Sequence, residues 1–110
     1  MSQNKLGMAY ETFTKAIELD SNWAEAWNKR ATVLYLMGKY EQSQADIDKV
    51  LELEQRHFGA LAGQGLVNIK LKNYEKAIKS YENALKIYPS MQSPERMIKE
   101  IEALIKQDLI

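Results

Sequence analysis

The sequence predicts an all-α solenoid of antiparallel helix hairpins, with about six helices in one continuous domain. Three observations predict it. First, small or apolar residues recur at an offset of 34: Ala9, Ser43 and Ala77; Phe13, Ile47 and Tyr81; Ala16, Val50 and Ala84; Ile17, Leu51 and Leu85; Leu19, Leu53 and Ile87. Second, the turn recurs, as Gly38-Lys39-Tyr40-Glu41 and Lys72-Asn73-Tyr74-Glu75. Third, the apolar residues follow a period of about 3.6, and both prolines, Pro89 and Pro94, fall between periodic segments. A fixed period of this length means that each unit stacks on the next to bury a shared core.

The first helix spans about Gln3 to Leu19, and Asp20-Ser21-Asn22 breaks it. Asn22 with Glu25 three residues on reads as a capping box for the second helix, about Ala24 to Met37. Gly38 ends that helix, since glycine takes the left-handed conformation without penalty. The third helix covers about Glu41 to Glu54. The fourth, about Phe58 to Leu71, is expected to end near Asn73, the next best left-handed residue. The fifth runs from about Glu75 to Tyr88 and closes at Pro89. Ser93-Pro94 starts the sixth, with a hydroxyl cap and then proline at the first helical position. Ala31 and Gly65 are small where the helices of a hairpin approach closely, and Tyr40 and Tyr74 wedge the hairpins apart after each turn.

Composition narrows the function classes. Hydrophobic residues make up 45% and charged residues 27%, which suits a folded domain rather than a disordered chain. Fifteen Lys and Arg balance fifteen Asp and Glu. A nucleic-acid binder carries a basic excess, so nucleic acid is not an expected partner. The chain has no cysteine, which excludes disulfides, thiol catalysis and cysteine–zinc sites. No apolar run is long enough for membrane insertion.

No catalytic, cofactor or metal site is expected. His57, the single histidine, sits at a turn and reads as a cap or surface residue, with no second ligand at a suitable spacing. Asp46 with Asp48, and Glu52 with Glu54, are two apart and so point to different sides of a helix. They read as a solvated face. Gly59, Gly63 and Gly65 lie inside a helix and read as close-packing positions, not a phosphate loop. Trp27 reads as packing between repeats and Trp23 as partly exposed. The stripe Met97, Ile98, Ile101, Leu104 and Ile105 reads as a cap on the last hairpin.

These residues resemble the tetratricopeptide repeat family. In the stretch 24–57 the chain keeps Trp27, Ala31 and Tyr40, with Arg30, Leu34, Ser43 and Gln55 where the pattern has Leu, Tyr, Ala and Pro. In 58–91 it keeps Gly65, Tyr74, Ala77, Tyr81, Ala84 and Pro89, with Leu61 for the Trp. The resemblance implies a right-handed superhelix of this order: a half repeat at 1–23 holding the second helix alone, full repeats at 24–57 and 58–91, and a capping helix at 92–110. On that register the chain reads as a fragment of a longer protein. A longer string, from Ala26 to Ala31 and from Arg56 to Leu61, resembles small bacterial repeat proteins, many of them exported. The default compartment is the cytoplasm, with the periplasm open if an N-terminal signal has been removed.

The family implies a non-enzymatic module that binds a peptide or helix of a partner protein in its concave groove. Carried over by position, the groove is lined by Glu25, Asn28, Lys29, Thr32, Tyr35 and Leu36, then by Ala62, Leu66, Ile69 and Lys70, with Gly59 and Gly63 beside them. The positions where chaperone-binding members carry a basic clamp for a terminal carboxylate hold Asn28, Thr32 and Gly63. The alternative is a structural unit that self-associates through Ala9, Phe13 and Ala16 of the first helix, a face without a partner in the register.

Overall fold

The computed structural model describes residues 3–89 and 92–109, with side chains described over 5–89 and 94–107. Among the described residues there are six helices: α1 Gln3–Leu19, α2 Ala24–Leu36, α3 Tyr40–Leu53, α4 Phe58–Lys70, α5 Tyr74–Ile87 and α6 Gln92–Leu109. There is no strand among the described residues. Each helix packs on its neighbours in sequence, and α2 also touches α4 across the repeat. Contacts between neighbours draw the chain into a short rod. It measures 46 × 29 × 19 Å with a radius of gyration of 14.6 Å, against about 13 Å for a compact domain of this length. This is the all-α solenoid that the periodicity predicts.

Two apolar clusters run along the rod. Ala24, Ala31, Ile47, Val50, Ala60 and Val67 form the first, with Trp27, Tyr35 and Tyr40 packed against it. Ala77, Tyr81 and Ile101 form the second. Met97, Ile98 and Ile105 of α6 pack on this second cluster, so α6 covers the last hairpin. Small residues set the close approaches. A Cβ on Gly65 would collide with the Tyr81 ring, so this glycine makes room for an aromatic on the facing helix. The same does not hold for Gly63, where a Cβ would meet Ile47 Cδ1 at an ordinary 3.6 Å. At Gly59 a Cβ would stand 3.1 Å from His57 Cε1, a tight approach, so the expectation that the glycines of α4 serve close packing holds at Gly59 and Gly65 and gives way at Gly63.

Both hairpin turns use the same backbone device. The amide of Lys39 donates to Leu34 O at 2.9 Å and that of Gly38 to Tyr35 O at 3.0 Å. Asn73 donates to Asn68 O at 2.8 Å and Lys72 to Ile69 O at 3.0 Å. Each is a Schellman motif, with the left-handed residue just past the helix. That residue is Gly38 at φ 80 in the first turn and Lys72 at φ 63 in the second. The expectation for Asn73 is thus corrected by one position. The 34-residue register places Lys72 in the role of Gly38, and the register prevails over residue preference.

Two further expectations give way at side chains. The Asn22–Glu25 capping box does not form: Trp23 takes the N-cap position of α2 with no side-chain bond. The loop is held instead by Asp20 Oδ1, which accepts from the Asn22 amide at 3.0 Å. The Trp27 indole adds a bond to Ser21 O at 2.9 Å. Asp46 is not on a solvated face. It is 4% exposed and receives two bonds from Arg30, Nε to Oδ2 at 2.8 Å and Nη2 to Oδ1 at 2.9 Å. A third Arg30 bond reaches Thr14 Oγ1 at 3.2 Å. The guanidinium lies 5.5 Å from the Tyr10 ring centre and 5.2 Å from that of Trp27. One arginine thereby ties α1, α2 and α3 together. Asp48, Glu52 and Glu54 are exposed, as expected of a solvated face. The expected Ser93 cap concerns a side chain outside the described residues, and so do the repeat edges at 1–2, 90–91 and 110.

Candidate functional site

The contact between α2 and α4 leaves a concavity of about 270 Å³ between them. Residues one turn apart on each helix form its walls: Asn28, Thr32 and Tyr35 on α2, and Gly59, Gly63 and Leu66 on α4. The floor is Ala31, Ile47 and Val67, each no more than 3% exposed. Ser43 is also at the floor, and its hydroxyl is satisfied by Ala31 O at 2.7 Å. The absence of side chains at Gly59 and Gly63 opens the α4 wall. Leu66 is 40% exposed at the rim. Tyr35 is half-buried there, its ring centre 5.5 Å from that of Tyr40.

One end of the pocket is fixed by a chain of polar contacts. Thr32 Oγ1 donates to Asn28 O at 3.1 Å, and Asn28 Nδ2 donates to Glu25 Oε1 at 3.1 Å. His57 Nδ1 accepts the Ala60 amide at 3.0 Å, capping α4 as the sequence suggests. With Nδ1 an acceptor, the ring proton sits on Nε2, which faces Glu25 Oε2 at 3.3 Å. The Asn28 hydrogen bond holds the Glu25 carboxyl below its ordinary range against a modest desolvation, and His57 and Lys29 act in the same direction. The result is an apolar pocket with a preset carboxamide and hydroxyl on one wall.

Of the ten residues expected in the groove, Asn28, Thr32, Tyr35 and Leu66 meet in this pocket. Glu25 stands at its edge through Asn28. Lys29, Leu36 and Lys70 are exposed and do not line it. Ala62 and Ile69 pack towards the α5–α6 cluster. They lie on a different stripe of α4 from Gly59, Gly63 and Leu66. Ala9, Phe13 and Ala16 are half-buried on α1. Their register equivalents Ala77, Tyr81 and Ala84 are at most 3% exposed.

Sequence reasoning missed a second concavity. A polar cleft of about 510 Å³ opens on another face of α4, between α3 and α5. Its signal was present in the 34-residue register, where Arg30 and Asp46 become Gln64 and Ser80.

The pattern of the tetratricopeptide repeat matches residues 59–91 and, in a second form, residues 12–45. A TPR repeat-containing protein of Rhizobium etli is 38% identical over 90 residues, covering 82% of this chain and 44% of its own length. The chain therefore spans less than half of that relative. The first TPR of Spaghetti (RPAP3), bound to the HSP90 peptide SRMEEVD, superposes with a TM-score of 0.90 at 21% identity. That match covers 94% of this chain and 82% of the other. The second TPR domain of human RPAP3, in complex with the HSP70 peptide SGPTIEEVD, gives a TM-score of 0.84 at 23% identity, over 91% and 83% of the two chains. At this identity the two structures share the fold.

Proposed function

The chain belongs to the tetratricopeptide repeat family, and from that premise we propose that it is a protein-interaction module whose α2–α4 pocket receives an apolar side chain of a partner segment. The observation that carries the reading is the pocket itself. It is open to solvent, floored by buried aliphatic groups and walled by a half-buried tyrosine. An aromatic there offers large contact area with little side-chain entropy to lose. The solved relatives bound to chaperone peptides supply the precedent for peptide binding in this fold. Those peptides end in acidic residues. Here the pocket wall carries Asn28, Thr32 and Gly63, so it favours apolar contact over a carboxylate clamp.

Peptides selected from a random display library should therefore share a large apolar anchor. Tyr35→Ala should weaken their binding by about 1 kcal/mol or more, and Leu66→Glu should do so as well, with helical content unchanged. Because Glu25 and Lys29 offset one another beside the pocket, added salt should change the affinity little. Equal binding of the wild type and both variants would place the site elsewhere. Tight binding of SRMEEVD would overturn the preference for an apolar anchor.

A second reading is self-association through α1. It rests on the half-exposure of Ala9, Phe13 and Ala16 where the repeat register expects burial. A concentration-independent monomer mass in solution would remove it.

A further inference from the structure

The polar cleft beside α4 is a slot that the preceding repeat fills with its own side chains. Its floor contains Gln64, Asn68 and Ser80. Moved back by 34 residues, Gln64 and Ser80 become Arg30 and Asp46. In that repeat the two-bond ion pair occupies the slot, with the Tyr10 ring over the guanidinium. In the second repeat both side chains are shorter. They keep one bond, Ser80 Oγ to Gln64 Oε1 at 2.9 Å, and leave about 510 Å³ open.

The chemistry of the lining limits what can enter. Asn68 is 5% exposed and Ser80 4% exposed. The carboxamides are already set in place: Asn68 Nδ2 donates to Gln64 O at 2.8 Å and to Gln44 Oε1 at 3.3 Å. Gln44 in turn donates to Asp48 at 2.8 Å. An apolar occupant would strip water from this floor without replacing its bonds. The lining includes no aromatic ring on which a base or sugar could stack. Two lysines on the α5 wall, Lys76 and Lys79, are matched by Glu41 and Asp48 on the α3 wall. That balance gives no net attraction for phosphates. A peptide group, by contrast, offers one donor and one acceptor, the complement of the Gln64 carboxamide, whose nitrogen is not spent on the bonds above.

We propose that this cleft binds an extended polypeptide segment of alternating charge. In an extended chain successive side chains point to opposite sides. Laid along the trough with its main chain over the carboxamides, such a segment sends one side chain to the acidic α3 wall and the next to the basic α5 wall. Between Glu41 and Asp48, α3 rises about 10 Å, the reach of about three extended residues. The site shares no lining residue with the α2–α4 pocket, so either can fail without the other.

The test is an NMR titration of the isotope-labelled chain with a blocked peptide of alternating Lys and Glu, against the same composition arranged in two blocks. The side-chain amide signals of Gln64 and Asn68 should shift saturably, while Thr32 and Leu66 stay put. The alternating peptide should bind about fivefold tighter, as a few exposed ion pairs allow. Gln64→Leu should abolish the shifts in a protein that remains folded. Lys76→Glu with Lys79→Glu makes both walls acidic and should transfer the preference to oligolysine. The proposal fails if Gln64 and Asn68 do not respond, if the two peptides bind alike, or if the double variant keeps its preference for alternation. It also fails if a short oligonucleotide or oligosaccharide binds the cleft better than the alternating peptide.

Discussion

The hairpin of α2 and α3 and the hairpin of α4 and α5 share one backbone and solve its packing with different chemistry. In the first, Ala31 faces Ile47; in the second, the same positions hold Gly65 and Tyr81. The glycine gives up a methyl where the partner gains a ring, since a Cβ at 65 would collide with Tyr81. In the first, Ser43 bonds to Ala31 O; in the second, the serine is Ala77 and the bond has no counterpart. Arg30 with Asp46 likewise becomes Gln64 with Ser80. What recurs at 34 residues is therefore a set of slots. Each slot constrains the pair that fills it, and neither member alone.

Substitutions that break one pair should show the difference most sharply at the ion pair. Asp46→Ala leaves the Arg30 charge largely buried and should cost about 3–5 kcal/mol. Ser80→Ala at the equivalent position removes a neutral bond and should cost about 1 kcal/mol. Urea denaturation of the two variants measures both, and similar losses would show that the hairpins do not differ in this way.

The glycine–aromatic pair gives the next effect. Gly65→Ala should destabilise by about 1–3 kcal/mol through overpacking, although alanine is the better helix former. Adding Tyr81→Ile installs the pair of the first hairpin and should recover most of the loss. A double variant no more stable than Gly65→Ala would mean that the slot does not set the pair.

Tyr81 also distinguishes the hairpins by pH. Burial, with the nearby Tyr35 in support, pushes its phenol up to about 12. The unfolded chain then releases this proton near pH 10, before the folded one does. The stabilisation is complete below pH 10 and is lost as the pH rises towards 12, by an amount on the order of 2 kcal/mol. Tyr81→Phe should remove that part of the alkaline decline, whereas substitution of Ile47 should leave it unchanged.

The smallest effect lies in the turns. Lys72→Gly relieves a left-handed lysine and should stabilise by about 0.5–1 kcal/mol, net of the extra freedom of the unfolded chain. Gly38→Lys should do the reverse. A melting shift of the same sign for both would contradict the shared role.

The period, the helix spans to within a residue or two and the all-α class could all be read from the sequence, because side-chain size repeats with the chain register. Asp46 could not be read correctly by local spacing. Its burial depends on Arg30, sixteen residues earlier on another helix, whereas spacing along one helix speaks only of that helix. The left-handed position falls on Lys72 instead of Asn73 for a related reason: residue preference favours Asn73, while the turn geometry is dictated by where α4 stops. Four residues of the expected groove meet in one pocket because they share the facing stripes of α2 and α4. Ala62 and Ile69 lie on the stripe of α4 that faces α5 and α6, a division that depends on the rotation of the helix between its neighbours.

The tryptophans carry a consequence for how unfolding can be watched. Trp23 and Trp27 both flank the turn between α1 and α2, the first 52% exposed and the second hydrogen-bonded to Ser21. Intrinsic emission excited at the indole band therefore reports on one end of the rod. Trp27 also lies beside the cations of Arg30 and Lys49, so its spectrum is sensitive to whether that junction stays closed. Should the rod unravel from α6, circular dichroism would lose amplitude while the indole signal held steady. Two curves that separate in denaturant would record the direction in which the stack comes apart.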